Sequence, residues 1–156
     1  MSKFIYFPSF SAGAMGSSLA KNVKLKNDLS IRFYSDEFPE KYRHTDILIT
    51  AGHHFKKDDY KNDLGLTDKN LVMGDSGGYQ IASGAIKWDM SIRERIFNWL
   101  EHNSDIAMNL DIPPKIKYEG MYEECLKISK DNFKYFADNQ SGNTDFLNML
   151  ERKRLK

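Results

Sequence analysis

Residues 71–81 read LVMGDSGGYQI, an apolar run that stops at an Asp-Ser-Gly-Gly turn. Continuous apolar character without polar alternation marks a strand buried on both faces, the habit of parallel sheets. The Gly pair ends it, because glycine opens backbone conformations that other residues avoid. Two readings of the turn stand: a simple exit from a strand, or one wall of a pocket.

Outward from this stretch, similar short runs recur at 3–7 (KFIYF), 46–50 (DILIT), 105–110 (DIAMNL) and 145–150 (DFLNML), with 70–74 (NLVMG) the central one. Helical patterns lie between the later runs. In SIRERIFNWLEH, Ser91 and Glu94 have capping-box spacing, and Ile92, Ile96, Trp99 and Leu100 form one apolar stripe. After Gly120, residues Tyr122, Cys125, Ser129, Phe133 and Phe136 recur near helical spacing. Strands alternating with helices predict an α/β fold with a parallel sheet, either doubly wound or part of a barrel. Ligands in both architectures bind where loops leave the carboxyl ends of the strands. Asp75 and Asp111 follow two successive strands, so both carboxylates are expected at one cavity.

The residue types around the turn suit a flat, donor-bearing ligand. Gly77 and Gly78 let backbone approach closely and expose N–H groups, Ser76 and Gln80 both donate and accept, and Tyr79 offers a stacking face. A carboxylate such as Asp111 matches adjacent N–H donors, as on the edge of guanine.

GDSGGYQI at 74–81 followed by SDIAMNLD at 104–111 resembles the tRNA-guanine transglycosylase family, whose hallmark is an Asp-Ser-Gly-Gly-aromatic-Gln segment and then a Ser-Asp-Ile-x-Met-x-aromatic-Asp strand. The upstream DILITAGHHF is similar to the family's Asn-Thr-Tyr-His segment at His54 only; Ala51, Gly52 and His53 depart from it. The resemblance covers residues 46–114 well and the remainder by order of elements.

The resemblance implies a (β/α)8 barrel, present here as about its N-terminal half, and exchange of guanine in a tRNA, or in DNA, for a 7-deazaguanine base. It assigns Asp75 proton transfer or substrate orientation at the pocket. It gives Ser76 and Asp111 hydrogen bonds to the base, Tyr79 stacking on it, and Gly77, Gly78 and Gln80 the pocket wall. The family's later nucleophilic aspartate and Cys/Cys/Cys/His zinc site have no counterpart that can be placed, and Asp111 is followed by Ile112-Pro113-Pro114 where relatives carry an acidic residue and a cysteine. The expectation is therefore a chain without cofactor, weak or inactive in exchange alone, that self-associates or pairs with a separately encoded C-terminal half. The alternatives are a non-catalytic deazaguanine- or nucleotide-binding module and a degenerate remnant.

The rest of the sequence sets bounds. A chain of 156 residues is the length of one domain, expected here over 1–150 with a basic tail, ERKRLK, at 151–156. With 40% hydrophobic and 29% charged residues, no membrane-length apolar run and no signal-peptide pattern, a cytoplasmic location is expected. Cys125 is the single cysteine, which excludes an internal disulfide and predicts a small buried side chain. The net charge of +1 does not discriminate among partners, and the basic runs 21–26 and 151–156 read as solvated surface, the tail as disordered. SAGAMGSS at 11–18 lacks the Lys-Ser/Thr of a phosphate-binding loop and reads as a loop near the pocket mouth. His53 and His54, beside Asp58 and Asp59, read as loop or pocket wall rather than metal ligands, since neighbours in an extended segment point to opposite faces.

Overall fold

The computed structural model describes residues 6–9, 19, 21–25, 28, 30–113 and 121–147. Four strands form one sheet: β1 (Ile47–Thr50), β2 (Val72–Asp75), β3 (Ile106–Met108) and β4 (Asp145–Leu147). All neighbours pair parallel, and the spatial order is the chain order, β1-β2-β3-β4. Ser9 adds a parallel bridge to Leu48 on the outer edge of β1. The run read at 3–7 is described only at 6 and 7, and that read at 145–150 only to 147; the loop 11–18 and the tail 151–156 lie outside the described residues.

Two long helices supply the crossovers' bulk. With short helices α1 (Ala51–His54), α2 (Tyr60–Asp63) and α3 (Gly78–Ala82) preceding them, they are α4 (Met90–Asn103) and α5 (Met121–Asn139). In α4 the expected stripe is buried at Ile96, Trp99 and Leu100, with Phe97 added to it, while Ile92 is half-buried. The cap differs from the expected one. Asp89 is the N-cap and accepts from Ile92 N at 2.9 Å, and Ser91 lies inside the first turn with its hydroxyl donating to Asp89 at 2.7 Å. A carboxylate two residues upstream thus takes the capping position, where its charge also meets the positive end of the helix. In α5 Cys125, Ser129, Phe133 and Phe136 are buried as the spacing predicts, but Tyr122 is exposed.

The two faces of the sheet differ. Ile47, Ile49, Val72, Gly74 and Ala107 are buried on one face, where α4 packs. Gly74 makes that approach close: a Cβ there would stand 2.6 Å from the Leu100 side chain. Phe97 stacks on Phe146 at 5.5 Å between ring centroids, and Phe136 meets Phe146 edge-on at 5.1 Å, which brings α5 to the same face. In-register residues Leu48, Met73 and Ile106, with Met108 further along, occupy the opposite face and are only half-buried. Among the described residues no helix is long and apolar enough to cross a membrane.

Candidate functional site at the carboxyl ends of the strands

Three strand exits meet at one end of the sheet. Thr50, the last residue of β1, lies beside Asp75, the last of β2, and leads directly into α1. Beyond Asp75 the chain turns through buried Ser76 and through Gly77, which has φ +82 and stands at the N-cap of α3. The Asp75 carboxylate accepts from Gly77 N at 3.3 Å, a short loop-closing bond typical of Asp at turns.

The glycines interlock these exits. A Cβ on Gly77 would stand 2.3 Å from Gly52 Cα, and one on Gly78 would stand 1.6 Å from the Asp111 carbonyl oxygen. The space opened by the missing side chains is thus filled by backbone from α1 and from the segment after β3. The glycines bring the carriers of the polar groups together, and that suffices to explain their presence in the turn.

Ser76 donates its hydroxyl to the Asn109 carbonyl at 3.3 Å, tying the exits of β2 and β3. Leu110 and Ile112 are buried on either side of exposed Asp111. Helix α5 fixes both flanks: Asn132 donates to the Leu110 carbonyl at 3.2 Å, and the Ser129 hydroxyl accepts from Ile112 N at 3.0 Å. Asp111 is therefore held from behind while its carboxylate stays open. The surrounding protein displaces water from that carboxyl and raises its pKa, and the nearby charge of Asp75 acts in the same direction.

Tyr79, in the first turn of α3, is 72% exposed. Gln80 Nε2 lies 3.0 Å from His53 Nε2. His53 and His54 belong to the helical turn α1, not to an extended segment as their sequence suggested. They nonetheless diverge. His54 stacks on Tyr60 with ring centroids 3.9 Å apart, and burial, then the Lys57 and His53 charges, lower its pKa to about 4. Asp59 instead caps α2 by accepting from Asn62 N. No cluster of three metal-binding side chains occurs among the described residues.

Every expected site residue therefore falls at this one end of the sheet: Ser76, Gly77 and Gly78 are buried there, Asp75 and Gln80 half-buried, and Tyr79 and Asp111 exposed. Sequence reasoning did not single out Gly52 and Asn132 as parts of it. Asn132 carries a readable signal, a polar residue on the apolar stripe of α5 three positions after Ser129. Chemically, two carboxylates beside an exposed ring suit a planar ligand edged with N–H donors. No family model matches the chain, nor does any curated protein or solved structure.

Proposed function

We propose that this chain is the N-terminal part of a transglycosylase-type base-exchange barrel, binding guanine or a 7-deazaguanine between Asp75, Asp111 and Tyr79. The observation that supports the reading is the placement of Asp75 and Asp111 at the carboxyl ends of adjacent parallel strands, close enough for the Asp75 charge to act on Asp111. In it, Asp111 accepts from the N–H edge of the base, Tyr79 stacks on its face, and Asp75 relays a proton as the glycosidic bond breaks. Ser76 retains lone pairs for the base while its proton is engaged on Asn109.

The barrel reading draws support from the unbroken strand order, since a doubly wound sheet reverses direction at a switch point. It also draws support from the half-buried apolar face, which in a closed barrel becomes the filled interior. Exchange requires a nucleophile to divide the displacement into two steps, and the resemblance puts that aspartate in a C-terminal half. The polymer is a tRNA or a DNA, and the partner is a second copy or that separately encoded half.

Calorimetric titration of guanine, 7-cyano- and 7-aminomethyl-7-deazaguanine tests the pocket. Binding by the unaltered chain that disappears in Asp111→Ala is expected; equal binding by both removes the proposal. Labelled-guanine exchange, with and without a C-terminal half, then separates an enzyme from the second reading, a binding module that uses the same pocket without chemistry.

A further inference from the structure

Two clefts lie along the outer side of the candidate site, and they share Phe55 and Arg95. The larger, of about 480 Å³, begins at Gly52, His53 and Gln80, the wall of the opening, and includes Lys56 and Lys87. The smaller, of about 310 Å³, continues to Trp99 and His102. Together they form one groove leading away from the carboxylates.

The lining of this groove carries three cations, Lys56, Lys87 and Arg95, against two carboxylates, Asp58 and Asp89, with the Lys87 charge acting on Asp89. Lys56, Lys87 and Arg95 are exposed and form no ion pair among the described residues. Of the groove's two acidic residues, Asp89 is engaged in capping α4, where its carboxylate accepts from both Ser91 and Ile92; Asp58 lies in the smaller cleft. The Arg95 guanidinium lies over the Phe55 ring, 5.1 Å from its centroid, and Arg95 is exposed to solvent. An arginine over a ring, sharing one cleft lining with two lysines, is a combination suited to a phosphate backbone and to stacking an unpaired base.

From this we infer that the groove running from the His53–Gln80 wall across Arg95 is the path of the single strand flanking the exchanged base, with Lys56, Lys87 and Arg95 contacting its phosphates. The inference rests on the base-exchange reading, and it adds the surface that holds the polymer. The strand enters beside Tyr79 and Gln80, so the base next to the reacting one meets the Arg95 platform. Loss of these cations weakens strand binding without touching the pocket for the free base.

The test is fluorescence anisotropy of labelled single-stranded RNA and DNA 12-mers over a salt series. It compares the unaltered chain, a triple variant (Lys56→Ala, Lys87→Ala, Arg95→Ala), and a control triple variant (Lys41→Ala, Lys127→Ala, Lys130→Ala) whose residues line neither cleft. Removing three phosphate contacts is expected to weaken binding about tenfold or more and to reduce the slope of log affinity against log salt by about 2. The control keeps both, and circular dichroism reports that all three chains are folded. Equal loss in both triple variants, no strand binding by the unaltered chain at low salt, or tighter binding of a poly-glutamate peptide than of either 12-mer overturns the inference. Whichever 12-mer binds more tightly names the polymer. Titration of free 7-deazaguanine into the same variants keeps the two readings apart: strand binding without base binding refutes the pocket alone, and base binding without strand binding refutes the groove alone.

Discussion

Gly77 and Gly52 touch backbone to backbone: a Cβ on Gly77 would stand 2.3 Å from Gly52 Cα and 2.5 Å from Gly52 N. This contact binds the exits of β1 and β2, and Gly77 meets it at a positive φ of 82°. Gly77→Ala combines left-handed strain with the clash, so a stability loss of about 3 kcal/mol is expected in urea unfolding. An unchanged midpoint would show that the two exits are not locked in this way.

His54 gives the protein a pH dependence with a definite sign. Its folded pKa of about 4 lies below the ordinary 6.5, so the unfolded chain binds its proton first as pH falls. Its contribution to stability is complete above pH 6.5 and is lost as pH falls toward 4, by on the order of 2 kcal/mol. His54→Phe keeps a ring on Tyr60 and should flatten the urea midpoints between pH 7 and pH 4.5. A slope there as steep as that of the unaltered chain refutes this assignment.

Asp111 works the other way. Its raised pKa means that the folded chain takes up a proton before the unfolded one, so neutral pH penalises folding at this residue and acid relieves it. Binding of a base through the ionised carboxylate falls as pH drops through that raised value. Asp75→Asn removes the neighbouring charge, and carbon-detected NMR titration should then find the Asp111 midpoint lowered. No movement would mean that the two carboxylates do not communicate.

Ser129 and Asn132 hold the backbone on either side of Asp111. Ser129→Ala leaves the buried Ile112 N–H unpaired, at a cost of about 1–3 kcal/mol, and should weaken base binding as well. Ser129→Thr, which retains the hydroxyl, should restore both. Calorimetry of the two variants separates a positioning role from a purely structural one: stability lost with base affinity intact leaves only the latter.

On the proposed partial-barrel reading, the half-buried face with Leu48, Met73, Ile106 and Met108 is where a second copy would pack. Analytical ultracentrifugation should show concentration-dependent association that Ile106→Lys abolishes. A stable monomer at high concentration counts against self-association.

The sheet was legible because its strands are short, continuous and apolar: β1, β2 and β3 bury Ile, Val or Ala on the helix-covered face, and β4 sets Phe146 against Phe97 and Phe136. Strand ends were less so. The run at 105–110 pairs only to Met108, because Asn109 and Leu110 spend their carbonyls on Ser76 and Asn132 instead of the ladder. The cap of α4 was ambiguous because Asp89 and Ser91 are both good caps, and the sequence does not say which one stops being helical. The turn α1 was hidden because His53 and His54, just after the strand at 46–50, read as an extended segment. Asp75 and Asp111 were legible as strand-end carboxylates, whereas the Gly52–Gly77 and Gly78–Asp111 contacts depend on neighbours distant in sequence.

The matching of spatial to chain order among β1, β2, β3 and β4 has a consequence for biosynthesis. No strand waits for a later one to be inserted between it and its neighbour. The sheet can grow from one edge as the polypeptide leaves the ribosome, each new unit docking on a finished template and keeping loop closures local. A gene broken between any two such units would still encode a first piece whose strands find their partners.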